Sequence, residues 1–121
     1  MPEDVEVIIG DGIEEAKKMI HQGSVKFDYI FIDVNEANDK FFIRYPAMKF
    51  CVRDNLRLWR ELVTEMGVVV LYLMAKSTKG LDRIESLIQE GWKTTHISPL
   101  SELEKVMAMT NRENGLVETN V

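Results

Sequence analysis

A single cysteine, Cys51, stands in the whole chain, so no internal disulfide can form. With only two histidines, His21 and His96, there is no Cys/His spacing of the kind that holds zinc. Neither histidine has a serine or cysteine beside it in a pattern that suggests nucleophilic catalysis. Basic residues are also scarce: 15 Lys and Arg against 20 Asp and Glu leave a net charge of −5. That balance argues against a nucleic-acid surface, which needs clustered cations to neutralise phosphates. The densest basic group, Arg53, Arg57 and Arg60, is spaced as one face of a helix and reads as a solvated face.

Long apolar runs are missing as well. The longest, Val68 to Ala75, is far too short to span a bilayer. The start, Met1-Pro2-Glu3-Asp4, is acidic and lacks the basic and apolar regions of a secretion signal. A reducing, cytoplasmic setting, away from membranes, is the expectation. Repeats and low-complexity tracts are absent too.

What remains is an ordinary globular composition, 45% apolar and 29% charged over 121 residues, enough for one compact domain. Residues 1–121 read as one unit, with 111–121 as a loose tail. Val5-Glu6-Val7-Ile8-Ile9 is β-branched and predicts a strand ending at Gly10-Asp11-Gly12. Ile13, Ala16, Met19 and Ile20 then recur at helical spacing, with Asp11 placed as N-cap and Gln22-Gly23-Ser24 closing the helix. Phe27 to Val34 predicts a strand buried on both faces. After a polar and aromatic loop from Asn35 to Pro46, a helix carries Val52, Leu56, Trp59, Val63 and Met66 along one stripe, with Gly67 as its cap.

Val68 to Met74 reads as the most buried strand. Ser77 or Thr78 caps a third helix bearing Leu81, Ile84, Leu87 and Ile88, which ends at Gly91. Lys93 to Ile97 and Lys105 to Thr110 are two final strands with no helix between them, and so an antiparallel pair. The alternation predicts an α/β fold: about five strands, mostly parallel, with three helices covering both faces.

Ligands of open parallel sheets bind beyond the C-terminal strand ends. Three segments qualify: Gly10-Asp11-Gly12, Asp33-Val34-Asn35 and Met74-Ala75-Lys76. A carboxylate at such an end can accept hydrogen bonds from a nucleoside or serve as a base. The bland readings are an N-cap for Asp11, a loop-bonded strand end for Asp33, a solvated Lys76 and a small core residue for Cys51. A dinucleotide fingerprint at Gly10-Asp11-Gly12 fails, because Glu14 and Glu15 would repel a pyrophosphate at the helix start.

Taken in order, VEVIIGDGIEEAKKMI, FDYIFIDVNEAND, GVVVLYLM and VMAMTN resemble the second half of spermidine-synthase-like S-adenosylmethionine-dependent methyltransferase domains. The resemblance is closest to the C-terminal domain of the methyltransferases acting on lysine and the N-terminus of elongation factor one alpha, and runs from about Val5 to Asn111. It implies a Rossmann-like methyltransferase sheet entered at its third strand, with the glycine-rich cofactor loop upstream of Val5. It further implies cofactor contacts at Gly10, Asp11, Gly12, Asp33 and Val34, a catalytic role for Asp33, no metal, and a protein amine as substrate.

Asn35 and Asp39-Lys40 depart from the aminopropyltransferase pattern, which makes polyamine chemistry a poor fit. The resemblance also implies weak or absent cofactor binding and no activity for these residues alone. A non-catalytic binding or regulatory module derived from such an enzyme is the alternative. A phosphoacceptor receiver fold fits less well, since Gly10-Asp11-Gly12 offers one carboxylate where a receiver has a pair. An apolar strand missing its neighbours would take Val5 to Ile9 as a substitute partner, or pair with a second chain.

Overall fold

The computed structural model describes residues 5–23, 25–33, 43–45 and 50–111. The expectations placed on Val34, Asn35, Asp39-Lys40 and the tail lie outside these residues. In chain order the elements are α1 (Gly12–Gln22), β1 (Phe27–Ile32), β2 (Ile43–Tyr45), α2 (Arg53–Leu62), β3 (Val63–Ala75), α3 (Thr78–Glu90), β4 (Thr94–Ser101) and β5 (Glu104–Thr110).

The helices begin and end for local reasons. Asp11 caps α1, its Oδ1 accepting from the backbone N–H of Ile13 at 2.9 Å and of Glu14 at 3.3 Å. Gly23 closes it at φ 70°, a left-handed position that costs glycine little. Ser77 caps α3 by accepting from the N–H of Gly80 at 3.0 Å. α2 has no side-chain cap and runs directly into β3 through Val63.

One sheet holds every strand, in the order β1-β3-β5-β4, with β2 pairing beside β3 at Met74 and Ala75. β1 lies parallel to β3, while β5 is antiparallel to both β3 and β4. The antiparallel ending therefore places the last strand inside the sheet. β4, reached through α3, regains the direction of β3.

Alternate residues of β3 set the layers. Val69, Leu71, Leu73 and Ala75 are buried, in one cluster with Ile32, Met107 and Met109. The same cluster takes Ile13 and Ala16 from α1, Leu56, Trp59 and Leu62 from α2, and Leu81, Ile84 and Ile88 from α3. All three helices thus cover one face, which corrects the expectation of helices on both. For α2 and α3 the reason is topological: the strand order runs one way from β1 through β3, and crossovers of one hand made in one direction land on one side, while α1 packs beside α2.

On the opposite face Val70, Tyr72 and Met74 are only half-buried, and Tyr29 and Phe31 are 67% and 73% exposed. β1 is not buried on both faces. Only Ile30 and Ile32 turn inward.

Two boundaries also move. Val5–Ile9 belongs to no strand, and Ile9 is 96% exposed. β-Branched residues favour a strand only where a ladder and a half-buried surface receive them, and among the described residues β1 pairs with β3 alone. The strand expected at Val68 begins five residues earlier, so Gly67 caps no helix and Met66 lies 62% exposed rather than on a buried stripe.

Between Phe27↔Val63 and Tyr29↔Val68 the register slips, and the extra residues bulge out of β3. Gly67 sits in that bulge with no room for a side chain. A Cβ there would stand 2.5 Å from Val63 Cγ2 and 2.7 Å from the Asp28 carbonyl oxygen. Gly67→Ala is therefore expected to lower stability by about 1–3 kcal/mol, read as a drop in the urea midpoint, through overpacking against backbone.

Lys105 ties β5 to α3. Its Nζ donates to Glu85 Oε2 at 2.9 Å, with Asp82 at 3.7 Å. The hydrogen bond to Glu85, aided by the charges of both carboxylates, raises the ammonium pKa above its ordinary 10.5 despite partial burial. A raised folded-state pKa means the stabilisation is complete below about pH 10.5 and fades as the pH climbs past the folded value. Lys105→Met should cost about 1 kcal/mol at pH 7 by urea unfolding, and the gap to the parent chain should narrow above pH 10.5.

Candidate functional site

Beside the C-terminal end of β1 a groove of about 400 Å³ is lined by Gly10, Gly12, Ile30, Phe31, Ile32, Phe50 and Trp59. The loop ahead of α1 forms one side and the end of β1 the other. Phe50 and Trp59 form an aromatic pair within it, their rings stacked at 5.7 Å and nearly parallel. The Trp59 Nε1–H donates to the Phe50 carbonyl at 3.4 Å, and the Phe50 ring lies 3.4 Å from where a Cβ on Gly12 would stand. A smaller apolar trough of about 170 Å³ shares Gly12, Ile30 and Trp59 and runs on between α1 and β1, along Ala16, Met19 and Leu62.

Of the residues singled out from the sequence, Gly10 and Gly12 line this groove. Gly10 and Gly12 face Ile30–Ile32 across the groove. Asp11 stands between the two glycines and is engaged as N-cap, so its helix role is real. Asp33 follows Ile32 directly and is exposed at the end of β1. The two acidic positions do not cap neighbouring strands as expected, since residues 5–9 form none. They approach one groove from a loop and from a strand end. Val34, the remaining residue of the set, is outside the described residues.

The third strand end is closed. The Ala75 N–H donates to the Leu103 carbonyl at 3.0 Å, and Met74 and Ala75 pair with Tyr45 and Ile43. Met74 and Ala75 are therefore built over by backbone partners, and Lys76 beyond them is exposed.

The bland readings elsewhere hold. Cys51 is wholly buried and burial pushes its thiol up to about 12, too high for a nucleophile. Arg53, Arg57 and Arg60 are exposed; Arg53 pairs with Glu90 at 2.9 Å and Arg60 lies 5.9 Å over the Trp92 ring. Among the described residues no group of His, Cys, Asp and Glu could hold a metal ion. No helix among them is long and apolar enough to cross a membrane.

Phe50 and Trp59 are what sequence reasoning missed. Trp59 read as packing, which it is, but it also lines the groove; Phe50 precedes the helical stripe and carried no periodic signal. Asp11→Ala is expected to cost about 1 kcal/mol, because it leaves the N–H groups of Ile13 and Glu14 without their acceptor. Asp11→Asn should keep nearly all of that stability in the same unfolding measurement, since an asparagine oxygen caps as well.

No protein family and no curated protein matches the chain. Among solved structures, it is similar to human methyltransferase-like protein 13 in complex with SAH, at 16% identity and a TM-score of 0.81. The match covers 94% of this chain and 52% of that one, so the chain spans about half the length of its structural relative. The five-stranded sheet with its inserted, reversed last strand has the methyltransferase fold.

Proposed function

We propose that this chain supplies the second half of an S-adenosylmethionine-dependent methyltransferase domain, with the groove at the end of β1 as one wall of the nucleoside site. The observation that carries the reading is the meeting of Gly10 and Gly12 with Ile30, Phe31 and Ile32 at the end of β1 beside the Phe50–Trp59 pair, with Asp11 and Asp33 next to them in the chain. Apolar walls flanked by a carboxylate suit an adenine and its hydrogen-bonding edge. In this reading Gly10, Asp11, Gly12, Asp33 and Val34 contact the cofactor. Asp33 accepts the proton of an attacking protein amine and orients its lone pair toward the methyl group. The relationship to the C-terminal domain acting on elongation factor one alpha belongs to this proposal, as does a cytoplasmic setting.

The wall is open on its far side, because nothing among the described residues lies beyond the β1 edge in the sheet. A half-built site forfeits several hydrogen bonds of about 0.5–1.5 kcal/mol each. These 121 residues alone are therefore expected to bind SAH more weakly than about 1 mM and to transfer no methyl group.

Titration of the isotope-labelled chain with SAH, followed by amide NMR, tests both parts. Small, unsaturated shifts should appear at millimolar ligand and be confined to Gly10–Gly12, Ile30–Asp33 and the Trp59 indole. Shifts elsewhere, or none at about 10 mM, would overturn the site, and a micromolar Kd would overturn the half-site reading.

A further inference from the structure

We propose that two copies of this chain pair antiparallel through the open edge of β1, about a two-fold axis that passes beside Tyr29. The pairing follows from the fold, and through Phe31 it shares one residue with the groove at the end of β1.

Among the described residues β1 terminates the sheet, and its free edge presents unpaired backbone donors and acceptors, a template for another strand. Asp28 is the one charge within the strand, and the other usual defences are lacking. β1 reads Phe-Asp-Tyr-Ile-Phe-Ile, with no proline, lysine or bulge to block the approach. The register slip that bends β3 leaves the six residues of β1 continuous.

The outward residues of β1 by alternation are Phe27, Tyr29 and Phe31; Tyr29 and Phe31 are 67% and 73% exposed, and Phe27, at 37%, also borders the trough beside α1. Tyr29 and Phe31 already stack on each other, their centroids 6.5 Å apart. Together the three aromatics expose on the order of 350 Å² per copy, taking about 200 Å² for each ring fully exposed. That is a little under half of the roughly 800 Å² each partner contributes to a standard interface. Edge backbone and the surrounding rim must supply the rest, which points to a reversible dimer.

Self-complementarity selects a second copy over an unrelated strand. Directly opposed residues in an antiparallel pair share a face, so the sequence numbers of opposed residues must sum to an even value. With Tyr29 opposite itself, Phe27 meets Phe31 of the other copy and Phe31 meets Phe27. Every outward position then pairs aromatic with aromatic, the most favourable kind of cross-strand contact. On the inner side Asp28 meets Ile30 and Lys26 meets Ile32, so no like charges face each other. A shift of two residues either way breaks one of the aromatic pairs.

Sedimentation over about 5–500 µM should show concentration-dependent association toward twice 14.0 kDa. Added salt should strengthen it, since each copy carries a net charge of −5 and the contact is apolar. Tyr29→Lys with Phe31→Lys should weaken association at least about tenfold, whereas Met66→Lys, equally exposed but off the edge, should leave it unchanged. A wild-type chain monomeric throughout, or a double variant that associates as well, would overturn the pairing.

The register is tested separately by mild oxidation. Tyr29→Cys places a thiol opposite its own copy, at a Cα separation a disulfide can bridge. Phe31→Cys places the two thiols four residues apart along the strands. The first should yield the covalent dimer on a non-reducing gel at least about tenfold faster, and buried Cys51 will not compete. Equal rates, or no cross-link from either, would refute the axis at Tyr29.

Discussion

The structure depends on one strand. β3 is thirteen residues long and hydrogen-bonds to β1 on one side, β5 on the other and β2 near its end. Its inward residues, Val69, Leu71, Leu73 and Ala75, receive all three helices, so the core is a single layer of side chains between one sheet face and one helix layer. Because so much converges on β3, its local irregularity is tolerated only where a glycine makes room, at Gly67. The alternation of β3 also explains the asymmetry of the molecule: what lies behind it is dry, and what lies before it is half-open.

Much of this was legible in the residues, and the failures are instructive. The helices were found because their signals are local: Asp11 and Ser77 as caps, Gly23 as a left-handed stop, and the 3.6-residue spacing of Ile13, Ala16 and Ile20 or Leu81, Ile84 and Ile88. The closing antiparallel pair followed from a missing helix. The strand at Val5–Ile9 was wrong because β-branched residues report a liking for pleated surfaces and cannot report whether a neighbour is there. The start of β3 was misplaced because Val63 and Met66 continue the helical spacing of Leu56 and Trp59. Pairing with Phe27, a contact thirty-six residues away, overrode that local pattern. The short β2 gave no signal at all, for three residues carry no period.

For the candidate site, the sequence identified the polar corners and the fold supplied the floor. Gly10-Asp11-Gly12 and Asp33 were located by the rule that ligands sit past strand ends; Gly10 and Gly12 line the groove with Ile30, Phe31 and Ile32, and Asp11 and Asp33 adjoin those residues in the chain. That Phe50 and Trp59 stack beneath them depends on how the segment before α2 turns, which no pairwise spacing encodes. The same one-sided topology governs both the groove and the aromatic edge: among the described residues the sheet stops at β1.

The insertion of β5 between β3 and β4 has a consequence for how the chain comes into being. Residues 104–110 are the last of the sheet to leave the ribosome, yet they complete its interior. Until they emerge, β3 has an unsatisfied flank and β4 has no mate, so the nascent polypeptide carries an apolar strand that cannot yet be sheltered. Zipping of the sheet must await the emergence of residues 104–110, and that interval is when the chain is most exposed to aggregation or to chaperone capture.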